Sequence, residues 1–509
     1  MQKISLHYKK RFKRLSKSKK YAILPTLLGI ISLSSNISAT TNNNTIKEIK
    51  ALDTPFTKSY KGDLYSVYEI AKTQDQILQA AISQYNAILM TLPISISQIL
   101  PQIDYNGEWS KTRTITGSAA VDAASGTVAF AGLANNQQTG VTAAQQFFNT
   151  SRTTIAKTTD NDVTLDQILF DLENFIDVFQ SKNIIKQAVY NLEAARQALI
   201  VRVVQNYFAI KAEEQNLVLL IAEKKAVAQQ LDQAKARYKV GVSAITDVET
   251  AQARYDSIVT QKISAENQIA NSKDELSVIT NQKTDKLADL KSEKLKFFSP
   301  LNSKKWVKSA VTNNPTLFAT KFETKIQYQN VQKEFSGHFP TVNYSLENNR
   351  NKSKQYIKYV PNPTFTTKTL SNSIDAQLPI FQGGGVYYGT KQAKYTYQAS
   401  EHNYELSLRN TITNTKINYR GAVTKYKEIQ SQKVAVSSAE SSYKSTQAGY
   451  EVGTRNIVNL LDSISELFRQ KRILATNRYQ YLVNLILLKQ SAGTLADKDI
   501  MEINELLEY

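Results

Sequence analysis

The sequence predicts a mainly α-helical chain with four β-strands, built as two copies of one structural unit. Three observations lead to this prediction: an internal duplication, two pairs of strand candidates with alternating apolar residues, and two very long helical stretches without proline. At 1.5 Å per residue, a stretch of about 65 residues forms a helix of roughly 100 Å. Each copy therefore consists of a helix, two strands, a long helix, a tight turn and a return helix.

The composition excludes several classes of protein. The 509 residues are 41% apolar, which is enough to build a core, and they include no cysteine. Disulfide scaffolds, thiolate metal sites and cysteine catalysis are therefore excluded. The three histidines (His7, His338 and His402) are scattered, and no catalytic or phosphate-binding motif is present. We expect no enzyme activity, no metal and no cofactor.

The net charge of +19 is concentrated in the N-terminal leader. Residues 1–39 carry nine Lys or Arg and no acid, so the remainder has 54 − 44 = +10. A basic stretch, an apolar stretch over 22–33 and small residues near Ala39 form the pattern of a secretory signal. The rest of the chain has no aromatic-interleaved basic motif, so we expect no nucleic-acid partner. No uninterrupted apolar run reaches about 18 residues, which argues against a polytopic helical membrane protein.

The duplication defines the domain organisation. Residues 237–247 align with 449–459 at an offset of 212 (449 − 237), and residues 100–105 align with 339–344 at an offset of 239 (339 − 100). We therefore predict six segments along the chain. They are the signal (1–39), an N-terminal linker (40–63), the first repeat (64–285), an inter-repeat linker (286–304), the second repeat (305–496) and a C-terminal segment (497–509).

Each repeat is predicted to begin with a helix, over 64–92 and 305–335. Pro93 should end or kink the first of these helices. The strand candidates follow, and their apolar residues alternate at Ile103, Tyr105 and Trp109 and in the equivalent part of the second repeat. The second strand of each pair is predicted over 163–170 and 374–381. A polar loop over 114–151 separates the first pair and is typical of a surface loop.

The long helices are predicted over 174–239 and 387–450. Apolar residues recur along the first of them in steps of three and four, which indicates one buried stripe, and the second is of similar length. Both end near a glycine that supplies the left-handed C-cap of a tight turn. Return helices over 246–280 and 456–490 follow, and Thr246 with Glu249 matches the capping-box pattern.

Four strands cannot close a barrel, because about eight is the usual minimum. The strands of one chain must therefore pair with those of other chains, and a symmetric ring provides such partners. Three copies would supply twelve strands, enough to enclose a lumen.

Four segments now carry a specific resemblance. They are 237–256 (RYKVGVSAITDVETAQARYD), 448–462 (AGYEVGTRNIVNLLD), 378–384 (LPIFQGG) and 492–495 (AGTL). In these segments the chain resembles the TolC family of outer-membrane channel-tunnels, and the likeness covers residues 64–507 in the same two-copy order. The resemblance implies a homotrimeric 12-stranded β-barrel in the outer membrane, four strands per chain, continued through the periplasm by a long α-helical barrel.

The resemblance also implies a function and partners. The chain would be the exit duct of a tripartite efflux pump or a type I secretion system, in contact with outer-membrane lipid. A periplasmic adaptor and an inner-membrane pump or secretion ATPase would dock at its helix tips. The alternative left open by the sequence is a long coiled-coil structural or surface protein without channel activity.

The family pattern assigns roles to residues of the two turns. Thr246, Asp247, Tyr450 and Arg455 map onto a gate, although helix capping alone would also account for the first two. Asp462 maps onto a carboxylate ring at the pore constriction, while Asn459 stands where the family commonly has a second aspartate. One ring should favour cations, but less strongly than two. The adaptor-docking tips map onto the two turns themselves: Val240, Gly241, Val242, Val452, Gly453 and Thr454.

Overall fold

The computed structural model describes residues 62–116, 152–283, 286–291, 302–357 and 362–508. The predicted signal (1–39), nearly all of the linker that follows it and most of the loop over 114–151 lie outside the described residues.

The first repeat begins with three short helices instead of one. Helices α1 (Leu64–Gln74), α2 (Gln76–Leu89) and α3 (Thr91–Gln98) follow one another almost directly. The break at the end of α2 confirms the prediction made from Pro93. A proline ring clashes with the carbonyl four residues earlier, which belongs here to Leu89, the last residue of α2.

The second repeat begins with α6 (Ser303–Asn313) and α7 (Pro315–Ser336). Its first break superposes on that of the first repeat at the predicted offset of 239. Asp75 accepts a hydrogen bond from the amide of Leu78 at 2.7 Å, and Asn314 accepts one from Leu317 at 3.0 Å. An N-cap side chain thus restarts the helix in both copies. Helix α7 has no counterpart of Pro93 and runs on without a second break.

The four long strands form one antiparallel sheet in the order β1-β2-β4-β5. Their bounds are β1 Gln102–Thr116, β2 Arg152–Phe170, β4 Thr341–Ile357 and β5 Thr364–Gln377. Strand β2 starts earlier than predicted, because its polar first half pairs through the backbone without apolar alternation. Strand β5 ends earlier than predicted, since Pro379 has no amide hydrogen to donate.

The long helices have almost the predicted bounds. Helix α4 spans Leu172–Lys239 and α8 spans Gly385–Glu451, and the return helices are α5 (Ile245–Thr280) and α9 (Ile457–Ser491). Near the turns, α4, α5, α8 and α9 share one buried apolar cluster: Leu220, Val227, Leu231, Ala251, Ile258, Ala265, Tyr450, Ile457, Leu460, Leu461 and Ile464.

The two long helices differ in how much of each is buried within one chain. Helix α4 buries twenty residues, whereas α8 buries five, and Tyr387, Tyr388 and Tyr395 at its start are exposed. The stripe predicted for the first long helix is thus buried within the chain. The exposed tyrosines at the start of α8 are available for contact with a neighbouring surface.

The C-terminal segment packs against the start of the first repeat, a contact that the sequence did not predict. Helix α10 (Asp497–Asn504) and strand β6 (Leu507–Glu508) follow α9, and β6 pairs with β3 (Asp289–Leu290) from the region between the repeats. The hydroxyl of Tyr68 donates a hydrogen bond to Asp497 at 2.8 Å. The side-chain amide of Asn504 donates to Asp63 at 2.9 Å.

Among the described residues, one helical stretch is long and apolar enough to cross a membrane by length and composition. It runs from Gln76 to Gln98, and only 11% of its most apolar window is buried within the chain. Met90, which separates α2 from α3, lies inside this stretch.

Candidate functional site at the helix turns

The two helix turns have the same geometry. Gly241 and Gly453 follow α4 and α8 with φ angles of +75° and +81°, which only glycine adopts without strain. The amide of the next residue reaches back five positions, from Val242 to Arg237 at 2.9 Å and from Thr454 to Gly449 at 2.8 Å. This is the Schellman arrangement, and it confirms the glycine C-caps predicted from sequence.

The turns expose apolar side chains to solvent. Val240 and Val242 are each 73% exposed, and Val452 is 75% exposed, while Thr454 completes the second turn and is also exposed. Valine of this exposure contributes nothing to the core of the chain. These side chains are therefore available for contact with another protein.

Thr246 and Asp247 lie in the first turn of α5. The capping-box prediction is wrong: the helix begins one residue earlier, at Ile245, so that Thr246 lies inside it and Ala244 is the N-cap. Thr246 is exposed, and its carbonyl accepts a hydrogen bond from Thr250 at 2.7 Å. The carboxylate of Asp247 accepts a hydrogen bond of 2.5 Å from the hydroxyl of Ser243.

Tyr450 lies in the last turn of α8 and is only 5% exposed. Its ring packs under the guanidinium of Arg237, 4.6 Å from the ring centroid, and the same guanidinium donates a 3.5 Å hydrogen bond to the Tyr450 carbonyl. A cation over an aromatic face is attracted by the ring quadrupole. Arg237 is half-buried and connects α4 to α8 at the turns. Sequence reasoning did not assign it a role.

Arg455 follows the second turn and is exposed. Its side chain passes close to Gly449, where a Cβ atom would come within 2.8 Å of the Arg455 Cγ. Gly449 therefore lets the arginine lie against the end of α8. Among the described residues, the Arg455 guanidinium makes no ion pair, and Asp247 is hydrogen-bonded to Ser243 rather than to Tyr450.

Asn459 and Asp462 lie on one exposed stripe of α9, three residues apart. The amide of Asn459 donates to the side chain of Asn456 at 2.9 Å, which makes Asn456 the N-cap of the helix. Asp462 accepts a 2.6 Å charged hydrogen bond from Arg254 of α5. Sequence reasoning also missed Arg254, because nothing in a single helix pattern shows which residues of two helices meet.

Comparison with known proteins identifies the family. The profile of the family described as "Outer membrane efflux protein" matches residues 67–282 and 306–494, most of the chain and both repeats. This chain belongs to the outer membrane efflux protein family. Residues 283–305 separate the two matched parts of this efflux protein.

Individual relatives agree with that assignment. The chain is 27% identical over 459 residues to the outer membrane protein TolC of Vibrio cholerae, covering 89% of this chain and 96% of that protein. It is 22% identical over 311 residues to the proteases secretion protein PrtF of Dickeya chrysanthemi, covering 60% and 66%. The outer membrane channel CmeC of Campylobacter jejuni has the same fold, with a TM-score of 0.67, 16% identity and coverage of 90% and 95%.

Several predictions are thereby confirmed. The resemblance is correct, and the fold is a β-barrel continued by an α-helical barrel, built from two repeats. The protein is an exit duct of the outer membrane for efflux or type I secretion and extends into the periplasm. The relatives of this chain are channel proteins, so family membership argues against the alternative of a coiled-coil structural protein without channel activity.

Proposed function

We propose that this efflux protein works as a homotrimer that is closed at its helix turns and is opened by a docked periplasmic adaptor. The support for the trimer comes from the sheet. Strands β1 and β5 are the edges of a four-stranded sheet, and every residue of β5 is exposed. An unpaired edge of this length invites pairing with another chain. Three copies joined edge to edge give a closed barrel of twelve strands in outer-membrane lipid.

The gate is proposed to form between neighbouring copies at the turns. One observation carries this proposal: the guanidinium of Arg455 is exposed at a turn without an ion-pair partner among the described residues, while Thr246 and Asp247 lie exposed or half-exposed at the other turn. A ring of subunits brings the second turn of one copy beside the first turn of the next. Charge-assisted hydrogen bonds formed there are roughly twice as strong as neutral ones.

Tyr450 has two parts that serve this gate differently. Its buried ring is held by Arg237 within the chain, while its hydroxyl, at the last turn of α8, is proposed to bond Asp247. Opening would separate the α8–α9 hairpin from the α4–α5 hairpin and break both contacts.

The adaptor is proposed to dock on the exposed valines of the two turns. Val240, Val242 and Val452 project from the turns, and Gly241 and Gly453 hold the tight backbone that presents them. Burying an exposed valine side chain at an interface is favourable by about 1.5 kcal/mol. An inner-membrane pump or a secretion ATPase would complete the assembly. The relative PrtF is named as a proteases secretion protein, and we propose that the cargo follows from the partner.

The gate is tested by single-channel recording of the purified trimer in planar bilayers. The wild-type protein should show a small, long-lived conductance, and the variant Tyr450→Phe with Arg455→Ser should conduct several-fold more. A matched control is Tyr238→Phe, since Tyr238 occupies the position equivalent to Tyr450 in the first repeat but is 46% exposed. A wild-type conductance that is already large would contradict a gate at these turns, as would equal conductance of the double variant and the control.

A further inference from the structure

The return helices of the two repeats are joined by one ion pair near the turns. The Nη2 of Arg254 on α5 lies 2.6 Å from the Oδ1 of Asp462 on α9, although the two residues are 208 positions apart. Their side chains are 39% and 59% exposed, so water reaches the pair. Exposed pairs of this kind add little to stability. The consequence of this contact therefore lies in the charge that it presents at the surface.

The position of Asp462 along α9 places that charge at the entrance. Asp462 is the sixth residue of the helix, so at 1.5 Å per residue it lies about 8 Å from the start of α9. Its neighbours Leu460, Leu461 and Ile464 are buried, and the carboxylate lies on the opposite, open side of the helix. Arg254 approaches from α5, between the buried Ala251 and Ile258.

We infer that Arg254 determines the ion selectivity of the duct by neutralising the only carboxylate of the proposed constriction. This inference rests on the proposed function as a trimeric duct and on the pore constriction that the family pattern assigns to Asp462 and Asn459. With an asparagine at one position and an arginine-paired aspartate at the other, the trimer carries three ion pairs instead of a ring of free carboxylates.

A neutral constriction has a direct chemical consequence. Rings of carboxylates favour cations and repel anions, and they bind multivalent cations that then block the passage. Three ion pairs do neither, so the duct passes anionic and zwitterionic solutes as readily as cationic ones. The cation preference expected from Asp462 alone is thus replaced by weak selectivity.

The test is the reversal potential of single trimers under a KCl gradient, with a trivalent hexaammine cobalt cation added afterwards as a blocker. The substitution Arg254→Gln frees three carboxylates. One unit charge at about 4 Å in water has about a fivefold effect, in opposite senses on cations and anions, so we expect the ratio of cation to anion permeability to rise about 25-fold. Block by the cobalt complex should appear at the same time.

Two further variants complete the charge series. Asp462→Asn frees three guanidinium groups and should shift the ratio toward anions, and the double variant should return to the wild-type value. The matched control is Lys262→Gln, which removes one positive charge from the same helix at a site paired with Glu266, 2.6 Å away. This control should leave the reversal potential and the block unchanged.

The outcomes separate this inference from the constriction on which it rests. If Asp462→Asn changes selectivity but Arg254→Gln does not, the carboxylate lines the pore without being neutralised, and the inference is wrong. If a conducting trimer responds to neither substitution, the constriction lies elsewhere and both proposals fail. A wild-type channel with strong cation selectivity would likewise overturn the role of Arg254.

Discussion

Arg237→Gln should open the duct without any change in the residues of the proposed gate. The guanidinium lies 4.6 Å from the centre of the buried Tyr450 ring and also donates to its carbonyl. Glutamine keeps a polar side chain of moderate length but has neither the charge nor the planar cation. Any state in which the α8–α9 hairpin moves away from the α4–α5 hairpin must break this contact, so its loss favours the open state.

The magnitude follows from the geometry. A cation–π contact between a half-buried arginine and a ring that is 5% exposed is worth about 1 kcal/mol. Three separate copies in the proposed trimer add to about 3 kcal/mol, because distant sites are nearly additive. At 1.4 kcal/mol per factor of ten, the ratio of open to closed channels should rise about 100-fold.

The assay is the fraction of time that a single trimer spends in its high-conductance state. Arg237→Lys keeps the charge without the planar group and should give an intermediate value. Lys235→Gln removes a charge from an exposed position two residues away and should behave as wild type. If Arg237→Gln spends no more time open than Lys235→Gln, the contact with Tyr450 does not hold the turns closed.

Three further predictions concern stability, measured as loss of helical circular dichroism. Asp75→Ala should lower the urea midpoint, because it removes the N-cap of α2 and leaves Arg202 without its counter-charge. The Asp75 carboxylate accepts hydrogen bonds of 2.8 and 2.9 Å from Arg202, and we expect their loss together with the cap to lower the free energy of unfolding by about 3 kcal/mol. Asp75→Asn keeps the cap and should recover about 1 kcal/mol of this loss. Gly493→Ala should prevent correct folding, because the added Cβ would lie 2.5 Å from the carbonyl oxygen of Asn313. The matched control is Gly383→Ala, which has a similar positive φ but open space around it, and it should lower the free energy of unfolding by only about 1–2 kcal/mol. Burial, and after it the charge of Asp497, raises the pKa of the Tyr68 hydroxyl above that of the unfolded chain. Tyr68 therefore contributes to stability fully below pH 10.0, and this contribution is lost as the pH rises above 10.0. Tyr68→Phe should flatten this alkaline decline in stability, and an equal decline in both proteins would refute the role of Tyr68.

The fold was largely predictable because its signals are local. The glycines after α4 and α8, the absence of proline within them and the three-to-four spacing of apolar residues are each visible in one stretch of sequence. The duplication then transferred each assignment from one copy to the other. The helix breaks were harder to predict. In the second repeat a proline follows the N-cap Asn314 and marks the break, but in the first repeat Asp75 caps the helix without a proline beside it.

The contacts of the site were less predictable, because they join helices that are far apart in sequence. Arg237 and Tyr450 are 213 positions apart, and Arg254 and Asp462 are 208 apart. Periodicity shows which face of a helix is buried but not which residue of another helix lies against it. The capping box failed for a related reason, since Ser243 reached Asp247 from outside the helix and the first turn began at Ile245.

The repeat register explains why the contact at the turns involves an arginine of the first copy. Tyr238 and Tyr450 are equivalent at the offset of 212, yet they are 46% and 5% exposed. Arg237, the residue before Tyr238, covers the ring of Tyr450. Its equivalent in the second copy is Gly449, which has no side chain to cover the ring of Tyr238. If the two copies were identical, each hairpin would place an arginine over a tyrosine ring of the other. In this chain the arginine is present in the first copy, so the Tyr450 ring is covered and the Tyr238 ring is exposed.

The same comparison applies to the charged residues beyond the turns. In the first copy, the hydroxyl of Ser243 donates a hydrogen bond to the carboxylate of Asp247. Their equivalents in the second copy are Arg455 and Asn459, which offer no such donor and carboxylate pair. The first turn therefore satisfies its carboxylate internally, while the second presents an arginine outward. In the proposed trimer these two unlike turns would meet at every interface. The second turn would then offer its arginine to the first turn of the neighbouring copy, which is where the gate is proposed.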